Sequence, residues 1–261
     1  MLISIAILVL IGLVAGTLAG LFGIGGGLVI VPALTALLIH RGFAADLAVP
    51  VAVATSLATM LLTAASAVWF HYRRGAVDMA TLLRLGLGVA VGAVAGAALA
   101  TIMSGQDLAR VFAVIAALIG LRMMLSKTPR PRHQQARPRG WWLIGPVIGA
   151  ASALVGIGGG TFNVPYLVYN GYSMVRAVAN ASACGWPIAL AGTATFALVA
   201  PAGAPPSASM GHVWLTGALL VGLGGMLAAP AGVALAHRLP AAGLRRLFGV
   251  VLVLVALRMA W

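Results

Sequence analysis

The stretch 21-LFGIGGGLVIVP-32 recurs as 154-LVGIGGGTFNVP-165. Each copy places four glycines within five positions of a long apolar segment. A glycine inside a helix costs about 1 kcal/mol relative to alanine, so a cluster this dense ends a helix rather than softening it. The interruption is made twice, in a chain with little polar surface to receive the freed backbone groups. Some function must lie in the break itself.

The composition identifies the solvent. The 261 residues are 62% hydrophobic, mean hydropathy is +1.10 and only 7% are charged, whereas soluble domains carry about 25% charged residues. Apolar runs long enough to cross a bilayer, roughly 17–25 residues, recur at 2–22, 47–70, 79–103, 108–125, 141–155, 175–200, 213–236 and 240–260, with shorter pieces at 28–39 and 161–169. They lack the in–out alternation of an outer-membrane barrel. An all-α integral membrane protein is expected. The longest polar stretch, 126-SKTPRPRHQQARPRG-140, is too short for a soluble domain.

The net charge of +13 fits basic loops that set membrane orientation better than nucleic acid, since no aromatic platform is interleaved with the charge. A single cysteine, Cys184, excludes an internal disulfide and lies in an apolar run, where it packs. The N-terminus has no basic region before its apolar run, so that segment is expected to stay in the membrane.

The repetition extends past the glycines. Gly23, Gly25, Gly26, Gly27 and Pro32 match Gly156, Gly158, Gly159, Gly160 and Pro165 at constant offset. The run from Gly75 aligns without gaps to the run from Gly211, and the register holds to the sequence LRM at 121–123 and 257–259. The chain therefore divides into a first membrane repeat (1–125), a basic cytoplasmic linker (126–140) and a second repeat (141–261).

Two topologies remain open. If each broken segment crosses once, the halves are parallel, and six of the sixteen Lys and Arg residues fall outside. If each enters, turns at the glycines and leaves on the same side, the halves are inverted. Only Arg41, Arg110 and Arg258 then lie outside. The positive-inside bias favours inversion, and so does the length of 141–155, about 22 Å of helix against a core of roughly 30 Å. The segment 2–22 is long enough to span alone.

A helix broken in the bilayer must be buried in protein or line a wet cavity. The helices restarting after Gly27 and Gly160 begin with unpaired N–H groups and a positive dipole end, which together bind anions without a charged side chain. Paired broken helices in two halves point to a transporter's central site. Glycine packing alone explains the Gly/Ala-rich runs at 86–98 and 222–234. Polar side chains available to the same site are Thr55 and Ser56 (with Thr59), their counterparts Asn180 and Ser182, and Thr161 and Asn163, which replace Leu28 and Ile30 of the first copy. Interhelical hydrogen bonding is the competing role for all of them. Thr17 and Ser152, which precede the breaks, are weaker candidates.

Ionisable groups are scarce. There is no glutamate, and Asp46, Asp78 and Asp107 sit at segment ends, as do the histidines. No intramembrane proton relay is visible. The glycine cluster lacks the lysine and hydroxyl of a phosphate-binding loop, and Leu28 and Thr161 occupy the third glycine position of a dinucleotide fingerprint. No catalytic residues, metal ligands or cofactor are implied.

With a glycine break and a proline beyond it in each of two halves, the chain resembles the TauE/SafE sulfite-exporter family. GIGGGLVIVP (Gly23–Pro32) and GIGGGTFNVP (Gly156–Pro165) are similar to that family's repeated signature. The resemblance implies a multi-pass permease of the bacterial inner membrane for small anions such as sulfite, organosulfonates or organic acids. It carries Gly23–Gly27 and Gly156–Gly160 over as site residues. The expected partners are a small anionic substrate and membrane lipid, with no nucleic acid. A secondary transporter is favoured over an anion channel or a membrane scaffold, since a scaffold has no need of paired breaks.

Overall fold

Lipid offers a backbone N–H or C=O no partner, so spanning segments must satisfy their own hydrogen bonds. This chain does so with helices. The computed structural model describes residues 2–22, 26–73, 75–125, 140–236 and 241–260. Gly23 and Gly25 of the first motif, and linker residues 126–139, lie outside the described residues.

The order is α1 (Leu2–Phe22), α2 (Gly27–His40), α3 (Ala45–Arg73), α4 (Met79–Ile102), α5 (Gly105–Leu125), α6 (Trp141–Val155), α7 (Gly160–Tyr169), α8 (Met174–Leu198), a short hairpin of β1 (Ser209–Met210) and β2 (Val213–Trp214), α9 (Leu215–Ala236) and α10 (Ala241–Ala260). Each apolar segment read from the sequence contains a helix, although the run 213–236 opens with the strand β2 before α9 begins. The glycine clusters separate α1 from α2 and α6 from α7. Among the described residues, six helices are long and apolar enough to cross a membrane: α1, α3, α4, α5, α8 and α9. The protein is an all-α integral membrane protein.

Small residues carry the closest packing. Hydrophobic attraction does not separate helix from lipid, so helices associate where backbones can touch. On α4, Gly88, Gly92 and Gly96 face α6, where an added Cβ at Gly96 would lie 2.7 Å from Ala150 Cα. Leu87, Val91 and Val94 of the same helix point outward. On α1, Gly12 and Gly16 meet Val221 and Gly225 of α9 in the same way. The most extensive contacts, α1 with α9 and α4 with α6, both join one half of the chain to the other. The residue pairings ascend together in each, so both pairs run parallel. Between α5 and α10 the pairings cross: Val253 approaches Gly120 and Met124 approaches Gly249, which makes that pair antiparallel.

The connections gather at two ends. At one, the Arg41 guanidinium lies 5.2 Å over the Trp214 ring, and Asp46 Oδ1 accepts from Gly105 N at 2.7 Å. At the other, Asn180 and Tyr172 bind the segment from Ala76 to Thr81. α6 follows α4 away from this second end, and the chain returns by α7 to Tyr172. These two helices are only 15 and 10 residues long. In the first half, Gly26 lies back against Ala15, seven residues before the end of α1, and α2 returns to Arg41. α3, fully buried from Ala48 to Met60, and α8 form the centre around which these elements pack. Cys184 of α8 is buried in that core.

Candidate functional site

α6 ends because Gly156 adopts the left-handed conformation (φ +65°). Its N–H donates to Ala153 O, and Ile157 N donates to Ser152 O at 2.9 Å, the paired bonds of a Schellman stop. The chain then crosses Gly158 and Gly159 and restarts as α7. No side chain caps α7 at Gly159, and none caps α2 at Gly26. Both helices thus begin inside the protein with the donor-rich end of a dipole and no capping oxygen. Residues Gly156 to Thr161 are all buried.

The two breaks touch. A Cβ on Gly27 would sit 2.9 Å from Ile157 Cα and 3.0 Å from the Gly156 carbonyl carbon. Val31, one turn further along the same face of α2, packs on Gly156 as well. Only glycine permits this approach of backbone to backbone.

The sequence candidates separate into two groups. Ser56 donates to Gly156 O at 2.8 Å and so pins α3 to the second break. Thr55 accepts from Trp214 N at 3.1 Å. Asn180 accepts from Asp78 N and donates to Ala76 O and Arg176 O. Thr55 and Asn180 are equivalent in the repeat, and so are Trp214 and Asp78. The same device therefore ties the halves together at both ends. Ser182 lies half-buried on α8. Of the weaker candidates, Thr17 bonds Leu13 O in its own helix, while the Ser152 hydroxyl is buried without a partner.

Asn163 stands apart. It is fully buried, with 0% exposure, and neither Nδ2 nor Oδ1 has a hydrogen-bond partner. Its backbone N–H donates to Gly159 O at 2.8 Å. The side chain folds back over the start of α7, placing Nδ2 2.6 Å from where a Cβ on Gly159 would be. An unpaired buried polar group costs about 1–3 kcal/mol. A buried amide held over an uncapped helix start is consistent with a site built for a ligand. Among the described residues no Asp, Glu, Lys or Arg is buried and no cluster could hold a metal ion.

Asp46, Asp78 and Asp107 lie at the ends of the bundle. Asp46 caps Gly105, and Asp107 pairs with Arg110 at 3.2 Å. Sequence reasoning missed the role of Asp78, which caps α4 through Ala80 N and accepts from the Thr81 hydroxyl. The Tyr172 hydroxyl lies beside the Thr81 hydroxyl and donates to Asp78 Oδ2 at 3.3 Å. The Thr81 bond, with further help from backbone and Tyr172 donors, holds the Asp78 carboxyl below its ordinary value. An Asp before an apolar helix with Thr three residues on was a legible cap signal; its long-range partner Tyr172 was not.

A family profile described as "Sulfite exporter TauE/SafE" matches residues 8–259. The chain belongs to the TauE/SafE family. A relative from Haemophilus influenzae, named "Probable membrane transporter protein", is 30% identical over 98% of this chain and 97% of its own. Another, "Probable membrane transporter protein YunE" of Bacillus subtilis, is 30% identical over 63% of this chain and 67% of its own. A third from Xylella fastidiosa, again named "Probable membrane transporter protein", is 28% identical over 96% of this chain and 92% of its own. No solved structure matches. Family, relatives and spans together make this TauE/SafE chain a multi-pass membrane transporter.

Proposed function

We propose that this protein is a secondary transporter of small anions, binding them at the start of α7 and exporting them across the inner membrane of a bacterial cell. The observation that carries the reading is Asn163. Its Nδ2 can donate to an oxyanion held by the dipole and N–H groups of α7, while Oδ1 accepts from a hydroxyl or water that enters with it. Sulfite, organosulfonates and small carboxylates all present such oxygens, and the absence of buried carboxylates avoids repelling them.

The halves act as inverted repeats. In support, the equivalent helices α5 and α10 cross antiparallel, and both α6–α7 and α1–α2 return to the end from which they entered. Alternating access is then a rocking of one half against the other around the touching breaks. Export needs no coupling ion, because one negative charge moving outward gains about 2.3 kcal/mol per 100 mV, roughly fifty-fold in concentration.

The test is flux of sulfite, an alkanesulfonate and a short carboxylate in proteoliposomes under an imposed potential. Saturable flux that follows the potential is expected, with loss of that flux in Asn163→Ala. Equal flux in wild type and Asn163→Ala would remove the site.

A further inference from the structure

Far from the breaks, the last turn of α3 borders a cavity. The apolar span of α3 is Ala45–Ala65, so Trp69 lies about 6 Å beyond it at 1.5 Å per residue, within a headgroup layer of roughly 5–8 Å on each side of the hydrocarbon. A cavity of about 610 Å³ opens there, lined by Trp69, Tyr72, Arg73, Gly75 and Val77. Arg73, one turn further on, folds its guanidinium back to lie 5.2 Å over the Trp69 ring. Both aromatic side chains are more than half exposed. One wall of the cavity is held by hydrogen bonds. Gly75 (φ +63°) donates to Tyr72 O and Ala76 N to His71 O, a Schellman stop. Asn180 then grips the loop on both sides of Val77, donating to Ala76 O and accepting from Asp78 N. The neighbouring Asp78 carboxylate is engaged by Ala80 N, Thr81 and Tyr172. Among the described residues Arg73 makes no ion pair.

We propose that this cavity binds the phosphate headgroup of an anionic phospholipid, and that Arg73 selects it. A guanidinium laid flat on an indole keeps its N–H edge free, and that edge matches two phosphate oxygens. Interfacial Trp and Tyr anchor a helix whatever the headgroup, and an arginine in a last turn complements the helix dipole. Neither role needs a cavity with a fixed wall beside an unpaired arginine. Charge decides between lipids. An anionic surface attracts each basic residue enough for about a fivefold gain, whereas a choline head meets a Trp69 face that Arg73 already covers. Asn180 ties the same loop to α8, so the headgroup sits where the two halves of the chain are joined. The site is separate from the start of α7 and does not depend on which anion is carried.

The measurement is native mass spectrometry of the detergent-purified protein, titrated with phosphatidylglycerol or with phosphatidylcholine of the same acyl chains. The readout is the dissociation constant of the first lipid bound. Wild type is expected to bind phosphatidylglycerol about fivefold more tightly. Arg73→Gln should bring the two lipids level, and Trp69→Ala should narrow the gap by removing the platform that holds the guanidinium. Arg110→Gln, at the other end of the bundle and paired with Asp107, should keep the wild-type ratio. All three positions are exposed, and a wild-type melting temperature checks that each variant is folded. Equal binding of the two lipids by wild type overturns the proposal, as does a wild-type ratio in Arg73→Gln. An equal loss in Arg110→Gln also overturns it, since the preference would then be diffuse charge. Displacement of phosphatidylglycerol by an equal concentration of glycerol 3-phosphate would show a site for a free phosphate ester and would overturn the lipid as occupant.

Discussion

Replacing Gly27 with alanine tests whether the two breaks share one site. The new methyl carbon would lie 2.9 Å from Ile157 Cα and 3.0 Å from the Gly156 carbonyl carbon. Carbon atoms at rest prefer about 3.5–4.0 Å, so the overlap with these carbons is ~0.6 Å, and the Gly156 carbonyl oxygen lies closer still; none of these backbone atoms has a rotamer to escape into. Either the breaks part or α2 shifts along Val31. Overpacking of this kind costs about 1–3 kcal/mol. Gly86→Ala is the control, because its added carbon meets only side-chain atoms, 3.5 Å from Leu82 Cδ1 and 3.6 Å from Pro187 Cγ. Thermal melting of the detergent-purified proteins, followed by flux in proteoliposomes, should show Gly27→Ala less stable and nearly inactive. Gly86→Ala should match wild type in both. Wild-type melting and flux in Gly27→Ala would refute the contact between the breaks, and with it the shared site.

Other expectations follow from the same geometry. Asn163→Leu replaces two unpaired buried polar atoms by hydrocarbon of similar size, so it should raise stability by about 1–3 kcal/mol while abolishing anion flux; a drop in melting temperature would mean that the amide is already satisfied in the folded protein. Asp78 has its carboxyl held below the ordinary 3.8, chiefly by the Thr81 hydroxyl. Its contribution is therefore complete above that value and lost as pH falls through the lower folded value. The melting gap between wild type and Asp78→Asn should be flat from neutral to about pH 5 and close below 3.8; a gap that stays constant to acid pH would contradict this. Cysteine labelling in whole cells should find the loop Pro201–Gly211 outside and the 126–139 linker inside, and labelling of both from the same side would contradict inversion.

The architecture was legible because lipid leaves so few ways to fold. Each apolar run holds a helix, though Val213 and Trp214 form β2 instead, and the doubled glycine cluster marked both breaks, since nothing else in the composition needs four glycines in five positions. Helix ends moved by a few residues: 47–70 became Ala45–Arg73 and 108–125 became Gly105–Leu125. These shifts follow from polar caps such as Asp46, which hydropathy alone does not register. The polar candidates were less legible. Thr55, Ser56, Asn180 and Asn163 look alike in sequence, as neutral hydrogen-bonding residues in apolar runs. Three of them bond to backbone about a hundred residues or more away, and only the packing of one half on the other decides which are satisfied and which is left open.

The most direct measurement is a structure of the protein with 2-bromoethanesulfonate, using the anomalous signal of bromine to orient the molecule. We expect the sulfonate within hydrogen-bonding distance of Asn163 Nδ2 and the first N–H groups of α7. A transported anion found away from the paired breaks, with Asn163 still unpartnered, would contradict an anion site at the start of α7.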